Sequence, residues 1–364
     1  METEQLEKYL GRADMTIVAA MQKIDKNRKK IIYIVDGERK LIGSLSDGDI
    51  RRWIIKTGEI GATIDKAMCQ APKCFFDDAV DEAKNFFAVN GAIDSLPILT
   101  RDGVLTDIIF RDVKSVYRVK KNFRPSLAGV PVIIMAGGKG TRLLPYTKIL
   151  PKPLIPVGNI PIVERIINSF RECGADRFYM ILNYKKEMIK SYFSEFKIDY
   201  EMNYVDEPEP LGTAGGIRII DEQFDTPVIV TNCDILIRAD YVDILQFHKN
   251  MGNALTIVSS LKHTVIPYGV IHSKAEGLVA SMEEKPHVSY LVNTGMYVID
   301  AEHLSKIPRD RVYNMTDFID QLVAEDLKVG IYPVSEDSFL DMGEFEEMKR
   351  MEEKIYGNGM LGGN

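Results

Sequence analysis

The feature that most constrains the fold is a strongly apolar run that leads directly into a glycine-rich loop. Residues 130–135 read VPVIIM, a β-branched run typical of a strand buried on both faces of a sheet. Residues 136–142 then read AGGKGTR. Glycines directly after such a strand let backbone N–H groups approach a phosphate without a side-chain clash. The loop has neither the Gly-Lys-Ser/Thr ending of a Walker motif nor a following GxGxxG fingerprint, so it indicates another class of phosphate site.

Two basic side chains accompany this loop, Arg142 and Lys152. Lys152 lies between Pro151 and Pro153, whose restricted backbone limits where the ammonium group can go. Arginine offers a bidentate fork to phosphate and lysine a compact point charge. A glycine cradle with both residues suits a reaction in which negative charge shifts along a polyphosphate.

The extended segment AGGKGTRLLPYTKILPKPLIPVGNIPIVERII, residues 136–167, resembles the signature of the sugar-1-phosphate nucleotidyltransferases, GGxGTRLxPxTxxxPKPxxPV. The resemblance runs from residue 130 to about residue 350. It implies a Rossmann-like, mostly parallel α/β sheet, and the alternation of apolar runs with helical stretches such as Val163–Cys173 favours the same fold. It implies that the catalytic residues are Arg142, Lys152 and Asp234. It also implies that the nucleotide phosphates are bound by Ala136, Gly137, Gly138, Gly140 and Thr141.

A magnesium site is implied by two aspartates. Residues 227–234 read PVIVTNCD, an apolar strand that ends at Asp234, where the family usually has Gly-Asp and this chain has Cys233. The family's second metal carboxylate corresponds to Asp341, in the sequence FLDMG. A carboxylate at the carboxyl end of a strand is well placed to bind Mg²⁺. The alternative interpretation is that each aspartate is a helix cap or a turn residue.

Three short motifs resemble the family's sugar-phosphate site. In the family, a Tyr-Gly motif lets the backbone approach the hexose. A Glu-Lys-Pro motif supplies a carboxylate that binds sugar hydroxyls and a lysine that binds the sugar phosphate. Short polar side chains on the following strand face the sugar. The alternative for the glutamate is a solvated acidic face. The matching residues here are Tyr268, Gly269, Glu284, Lys285, Asn293, Thr294 and Gly295.

The choice of nucleobase is predicted from residues 206–216, DEPEPLGTAGG. Gly212, Thr213 and Ala214 match the family stretch that packs on the base and ribose, and the base-reading side chain five residues earlier is Glu207. A carboxylate only accepts hydrogen bonds, and guanine offers two adjacent donors, so Glu207 favours GTP. UTP, CTP and dTTP remain open, as does the alternative that Glu207 is a surface loop residue.

The first third of the chain contains an internal repeat. Residues 31–50 and 95–113 share the order apolar run, turn, apolar run and polar segment, with Asp49 and Asp112 at matching places 63 residues apart. Helix-like spacing precedes each copy, so the unit is helix, strand, strand, helix. The basic Pro/Ser/Gly stretch RVKKNFRPSLAG, residues 118–129, has the composition of a linker. We therefore predict domains at 1–120 and 130–357, joined by a linker at 121–129.

The two copies resemble a tandem pair of cystathionine-β-synthase (CBS) domains. The best match is the family's Gly-x-x-Ser/Thr-x-x-Asp pattern, which runs here from Gly43 through Ser46 to Asp49. It implies that Ser46, Asp49 and Asp112 bind a regulatory nucleotide. The second copy has Thr106 for Gly43 and Ile109 for Ser46, which weakens the expectation of a second site. The alternative is a structural or dimerising module, and we expect a homo-oligomer.

A CBS pair ahead of such a transferase resembles the glucosamine-1-phosphate guanylyltransferases of legionaminic acid synthesis. We therefore predict transfer of GMP from GTP to a hexose 1-phosphate, whose sugar is glucosamine, mannose or a heptose. The alternatives are a nucleotidyltransferase that uses UTP, CTP or dTTP, and a nucleotide-sensing regulatory protein with a degenerate transferase domain.

Composition excludes several other classes. The net charge of −7 disfavours nucleic acid as a partner, and no apolar run approaches the roughly 20 residues of a membrane span. The acidic N-terminus lacks the basic-then-apolar order of a signal peptide, so we expect a cytoplasmic protein. Four scattered cysteines are too few for a disulfide framework, and we expect them to be buried thiols.

Overall fold

The computed structural model describes residues 3–27, 29–90, 93–111, 126–309, 311–343 and 345–356. The chain divides into two compact units. The first comprises Met1–Phe123 and Lys262–Tyr290, and the second comprises Arg124–Leu261 and Leu291–Asn364. The predicted domain limits stay a prediction, and most of the predicted linker lies outside the described residues.

The N-terminal part of the first unit contains two three-stranded sheets, β1-β2-β3 and β4-β5-β6. Each sheet pairs its first two strands in parallel and its last two as an antiparallel hairpin. The two strands of each hairpin are those of the predicted repeat, whereas β1 and β4 were not predicted. A helix after the second copy would fall within residues 112–125, outside the described residues. The elements are α1 (Thr3–Leu6), β1 (Leu10–Gly11), α2 (Ile17–Asn27), β2 (Ile31–Val35), β3 (Leu41–Ser46), α3 (Asp47–Thr57), β4 (Phe75–Phe76), α4 (Val80–Val89), β5 (Ser95–Leu99) and β6 (Leu105–Phe110).

The strands of the repeat are offset by 64 residues, because β2 begins at Ile31 and β5 at Ser95. The offset of 63 predicted from the two aspartates is wrong for the strands. Hairpin pairing fixes the register, and both hairpins carry an irregularity at the same place. The corrected correspondences are Ser46 with Phe110 and Gly43 with Asp107, in place of Ile109 and Thr106.

The remaining elements belong to the stretch from residue 126 onward. The hairpin of β15 and β16 lies in the first unit, and the others lie wholly or mainly in the second. They are β7 (Pro131–Met135), α5 (Tyr146–Ile149), β8 (Pro156–Val157), β9 (Ile160–Pro161), α6 (Ile162–Glu172), β10 (Arg177–Leu182), α7 (Lys186–Ser194), β11 (Glu201–Asp206), α8 (Gly212–Gly215), β12 (Val228–Asn232), β13 (Ile235–Ile237), α9 (Tyr241–Met251), β14 (Leu255–Val265), β15 (Gly269–Ser273), β16 (Val279–Glu284), β17 (His287–Ile299), α10 (Met315–Ala324), β18 (Val329–Val334), β19 (Phe339–Asp341) and α11 (Phe345–Tyr356).

A seven-stranded sheet with the order β11-β10-β7-β12-β17-β14-β18 forms the centre of the second unit. The neighbours β11, β10, β7 and β12 are parallel, and β17 runs antiparallel to β12. The predicted mostly parallel α/β fold is confirmed. The chain moves outward from β7 to β10 and β11 and then returns to place β12 on the other side of β7. Such a reversal of strand order opens a crevice at the carboxyl ends of the two strands, where ligands bind in open α/β sheets.

Hydrophobic cores cover both faces of this sheet. Along β7, Val132 and Ile134 belong to one core and Ile133 to the other, since side chains alternate across a strand. Helices α6 and α9 pack on the first face and α10 on the second. Among the described helices, none is long and apolar enough to cross a bilayer. The prediction of four buried thiols is wrong: Cys233 is buried, but Cys69 is exposed.

Candidate active site

The glycine-rich loop follows β7 and leads into a short 3₁₀ helix, Thr141–Leu143. Gly140 has a left-handed φ of 64°, and a Cβ there would lie 2.8 Å from Thr147 Cγ2. A Cβ on Gly137 would lie 2.8 Å from Glu207 Oε2. At both positions a side chain would clash with a neighbouring group, so the loop requires glycine there.

The other predicted loop residues differ in exposure. Ala136 is buried, and its N–H donates to the carbonyl of Ile181 at 2.9 Å, which extends the pairing of β7 with β10. Gly138 and Thr141 are exposed, and nothing lies within 4 Å of a Cβ built on Gly138. The accessible part of the loop is thus its middle, from Gly138 to Thr141.

A buried ion pair joins this loop region to the end of β12. Lys152 begins a 3₁₀ helix after Pro151, and its Nζ contacts Asp234 Oδ2. Both side chains are about nine-tenths buried, with exposed fractions of 10% and 12%. Asp234 lies just beyond the end of β12, so the strand predicted at 227–234 extends two residues too far at its carboxyl end and one at its amino end.

Asp341 reaches the same place through a small antiparallel pair. Strand β13, directly after Asp234, pairs with β19, and Ile235 lies opposite Asp341. Burial and the negative charge of Asp234 raise the pKa of Asp341, while the positive charges of Lys152 and Arg142 oppose the rise. A Cβ on Gly343 would lie 3.1 Å from both Arg142 Nη1 and Asp341 Oδ1, which places the guanidinium close to this carboxylate. The structure thus brings the two predicted metal ligands and the two predicted catalytic cations together.

The two carboxylates fit a hard divalent cation. Their oxygens are the ligand type that Mg²⁺ prefers, and Mg²⁺ is commonly held by one or two carboxylates together with substrate phosphates. Burial and, after it, repulsion from Asp234 raise the pKa of Asp341, and a bound cation would offset both effects by favouring the charged carboxylate.

A polar cavity of about 220 Å³ opens beside these charges. Asn232, Tyr297 and Phe339 line it although sequence reasoning did not select them. A strand-alternation argument could have found Tyr297, which is two residues beyond Gly295 on β17 and therefore on the same face. The lining residues are Arg142, Asn232, Asp234, Ile235, Asn293, Thr294, Gly295, Tyr297, Phe339 and Asp341.

Three predicted sugar-site residues lie on β17 at this cavity. The Asn293 amide accepts from the Gly295 N–H at 3.0 Å and donates to the Tyr297 hydroxyl at 2.7 Å. Gly295 has a φ of 86°, and a Cβ there would lie 2.3 Å from Asn232 Nδ2. Thr294 is buried, and its hydroxyl donates to the Val258 carbonyl at 2.7 Å, so it holds the strand in place.

The other predicted sugar residues form a group of their own on the β15–β16 hairpin of the first unit. Gly269 pairs with Glu284, and the Lys285 N–H donates to the Tyr268 carbonyl at 3.3 Å. Tyr268 is 74% exposed. Lys285 has a left-handed φ of 47°, so the backbone turns sharply after the glutamate. Their role in sugar binding stays a prediction.

Glu207, the predicted base-reading residue, is buried rather than on the surface. Its exposed fraction is 6%, so the alternative of a surface loop residue is wrong. One carboxylate oxygen accepts from the Leu211 N–H at 3.0 Å, and the other lies beside Gly137. Burial raises the pKa of Glu207, and the Leu211 hydrogen bond partly opposes this. The carboxylate therefore adjoins the glycine-rich loop.

The segment after Glu207 is tied to α10. Gly212 has a φ of 84°, and a Cβ there would lie 2.7 Å from the Tyr313 carbonyl oxygen. Thr213 Oγ1 accepts from the Met315 N–H at 2.8 Å, and Ala214 is fully buried. Their described contacts are with the protein, and nucleotide contact by these three residues stays a prediction.

In the first unit, Ser46 is the N-cap of α3. The Ser46 hydroxyl accepts from the Asp49 N–H at 3.2 Å, and Asp49 Oδ2 accepts from the Ser46 N–H at 2.8 Å. Arg52 pairs with the other oxygen of Asp49. This capping box explains both side chains without a ligand, and nucleotide binding here stays a prediction. The third predicted residue, Asp112, lies outside the described residues.

We expect Ser46→Ala to lower the free energy of unfolding of the first unit by about 1 kcal/mol, because the helix loses its cap. Trp53 is the only tryptophan of the chain and lies on α3, so its fluorescence during urea denaturation reports this helix. Ser194→Ala, which removes an exposed serine hydroxyl of the second unit, is the control. An unchanged Trp53 transition in Ser46→Ala would contradict the capping role.

Comparison with known proteins yields two family matches. The model of the family described as "Nucleotidyl transferase" matches residues 131–356, and the CBS domain model matches residues 12–56. A mannose-1-phosphate guanyltransferase of Debaryomyces hansenii is 33% identical over 177 residues, which are 46% of this chain and 49% of that protein. A UTP–glucose-1-phosphate uridylyltransferase of Synechocystis is 32% identical over 232 residues, 58% of this chain and 59% of that protein.

The chain spans about half the length of the curated relatives it matches. Among solved structures, HddC from Yersinia pseudotuberculosis aligns with a TM-score of 0.50 and 25% identity over 62% of this chain and 99% of that one. The match to the first family model covers more than half of the chain and includes the glycine-rich loop, Lys152, Asp234 and Asp341. The chain therefore belongs to the nucleotidyl transferase family and carries a CBS domain ahead of its transferase domain.

Proposed function

We propose that this protein transfers a nucleoside monophosphate, GMP from GTP, to a hexose 1-phosphate and releases pyrophosphate. One observation carries the proposal: Arg142, Asp234 and Asp341 line one polar cavity, and Lys152 contacts Asp234. The two cations suit phosphate groups, and the uncharged amide and phenol groups on β17 suit sugar hydroxyls.

The proposed reaction is an in-line attack of the sugar 1-phosphate oxygen on the α-phosphorus of the nucleotide. The exposed backbone of the loop and Arg142 stabilise the negative charge that develops on the leaving pyrophosphate. Lys152 holds the α-phosphate and the attacking phosphate together, which lowers the repulsion between two anions. No general base is required, because a phosphate monoester is largely dianionic near neutral pH.

Nucleotidyltransferases of this family generally use a divalent metal ion, and we propose Mg²⁺ held by Asp234 and Asp341. When bound, the ion supplies positive charge to the phosphate oxygens. Lys285 and Glu284 of the β15–β16 hairpin are proposed contacts of the sugar phosphate and of the sugar hydroxyls.

A panel of nucleotides and sugar 1-phosphates, assayed by pyrophosphate release with Mg²⁺, tests the proposal. We expect GTP to be used best among GTP, UTP, CTP and dTTP, with mannose, glucose and glucosamine 1-phosphates as acceptors. Absence of pyrophosphate release with every pair would overturn the proposal and favour a nucleotide-sensing protein with an inactive transferase domain.

The choice of GTP rests on Glu207, since relatives of this chain include both a guanyltransferase and a uridylyltransferase by name. A buried carboxylate beside the glycine-rich loop offers acceptors only, and guanine presents adjacent N–H donors. A glutamine in its place could also donate to a pyrimidine.

We expect Glu207→Gln to lower the ratio of kcat/KM for GTP to that for UTP about tenfold, since each 1.4 kcal/mol of differential binding is a factor of ten. Burial raises the pKa of Glu207, which means that the protein interior disfavours the charged form, so we expect the fold to tolerate the neutral amide. Glutamine also keeps the acceptor for Leu211. Glu201→Gln, at the exposed start of β11, is the control. An unchanged ratio in Glu207→Gln would show that Glu207 does not recognise the base.

We also propose that the first unit binds a regulatory nucleotide through Ser46 and Asp49. The support is the resemblance of Gly43, Ser46 and Asp49 to the CBS pattern, together with the match of the CBS domain model to residues 12–56. A shift of the Trp53 fluorescence transition of the full chain on addition of ATP or AMP would support this role, and no shift would favour a structural module.

A further inference from the structure

The hydroxyl group of Tyr297 at the cavity has no role in the proposed reaction. Tyr297 is 6% exposed, and burial raises the pKa of its hydroxyl, which therefore stays protonated at neutral pH. The residue lines the cavity together with Asn293, which lies four residues earlier in β17 and therefore on the same face of the strand.

The direction of the hydrogen bond between these residues is fixed by the backbone. The Gly295 N–H can only donate, so the atom of the Asn293 amide that faces it is the oxygen. The amide nitrogen must then face Tyr297, at 2.7 Å, and the phenol oxygen accepts from it. The hydroxyl hydrogen of Tyr297 is left over, and among the described residues it has no acceptor.

The polar residues that line the cavity are of two chemical kinds. Arg142, Asp234 and Asp341 are its charged lining residues, while Asn232, Asn293 and Tyr297 contribute uncharged amides and a phenol. Phosphates and a cation match the charged residues, and sugar hydroxyls match the uncharged ones. A buried polar hydrogen without a partner is costly, so a ligand oxygen is expected to complete this site.

We propose that the Tyr297 hydroxyl donates a hydrogen bond to a ring hydroxyl of the sugar 1-phosphate, in the orientation that Asn293 imposes on it. This inference rests on the proposed function, because it names a sugar contact of the same cavity. Tyr297 is thus a substrate-binding residue, and Asn293 and Gly295 are the residues that position it.

Tyr297→Phe keeps the ring in the core and removes only the hydroxyl. We expect the KM for the sugar 1-phosphate to rise five- to tenfold, with kcat and the KM for GTP changed less than twofold. Tyr332→Phe is the matched control, since this buried tyrosine donates to Asp243 on α9 and is not among the residues that line the cavity. Equal effects of the two variants, or an equal rise in the KM for GTP, would overturn the proposal.

Deoxy sugars identify the contacted oxygen. For the sugar 1-phosphate used fastest, the 2-, 3-, 4- and 6-deoxy analogues are assayed with both proteins. For the analogue that lacks the contacted hydroxyl, we expect the KM of the wild type to rise as much as Tyr297→Phe raises it with the parent sugar. With the Tyr297→Phe variant, the same analogue should raise the KM no further. If, for every analogue, the effect of the missing hydroxyl multiplies with the effect of Tyr297→Phe, the proposed contact would be overturned.

Calorimetry separates failure of this inference from failure of the proposed function. If the wild type releases no pyrophosphate with any pair, the titrations use glucose 1-phosphate and mannose 1-phosphate with the full chain. Weaker binding to Tyr297→Phe than to Tyr332→Phe would still support the contact. Equal binding, or no binding to the wild type, would overturn it.

Discussion

Lys152→Met is expected to reduce kcat for nucleotidyl transfer 10²–10³-fold, the usual cost of removing one charged group that stabilises transition-state charge. Methionine fills a similar volume but leaves the α-phosphate and the attacking phosphate without their shared cation. The structure adds a second consequence, because Lys152 is also the buried counter-ion of Asp234.

Without the ammonium group, Arg142 is the remaining cation, among the described residues, that offsets the charge of Asp341 beside Asp234. We therefore expect Lys152→Met to bind Mn²⁺ more tightly than the wild type when nucleotide is absent, measured by electron paramagnetic resonance. In the wild type, Lys152 and a divalent cation compete for the same carboxylate. In Lys152→Met, therefore, kcat should fall while the affinity for Mn²⁺ rises.

Lys306→Met is the control for this experiment, since it removes a partly exposed lysine paired with Glu325 elsewhere in the second unit. It should leave both kcat and Mn²⁺ binding unchanged. Near-normal turnover of Lys152→Met would exclude Lys152 from the chemistry. Unchanged or weaker Mn²⁺ binding would exclude the competition for Asp234.

Asp234→Asn is expected to lose activity at least as strongly, but with weaker Mn²⁺ binding, because a metal ligand is removed. Removing one partner of a buried ion pair leaves an uncompensated charge and costs about 3–5 kcal/mol of stability. Part of the loss could then come from unfolding, so circular dichroism and denaturation must accompany the rate measurement.

The double variant Lys152→Met/Asp234→Asn distinguishes the two causes. Replacing both partners of a buried pair by neutral groups is often without net cost, so the double variant should recover stability relative to Asp234→Asn. Activity should remain lost, since the catalytic cation and the metal ligand are both absent. Recovery of activity together with stability would show that Asp234 serves the fold alone. Asp199→Asn, at an exposed ion pair with Arg171, controls for loss of a surface carboxylate.

Much of the second unit was predictable from local pattern. The VPVIIM run predicts β7, and the helix predicted at Val163–Cys173 is observed as Ile162–Glu172. Both depend on the periodicity of apolar residues, which the sequence displays directly. Periodicity also predicts the N-terminal repeat, but the predicted register is one residue off. The two aspartates that set the predicted offset follow the hairpins, whereas strand pairing within each hairpin decides the register.

The burial of Glu207 could not be read from its neighbours. The acidic, proline-rich sequence DEPEP is typical of an exposed loop, yet the carboxylate packs between Gly137 and Gly216. That environment comes from β7, β10 and the segment after residue 211, which meet only when the sheet forms. The same holds for the β15–β16 hairpin, whose motif residues the sequence identifies without placing them.

The order of apolar runs and glycines along the chain determined that an α/β sheet with a glycine-rich loop after β7 would form, since these depend on interactions between near neighbours. Tertiary structure alone decided that Lys152 neutralises Asp234, that Asp341 arrives beside them on β19, and that Glu207 is buried beside Gly137. These contacts join residues from separate strands and loops, and their strength comes from burial, which no single segment possesses before the sheet closes around it.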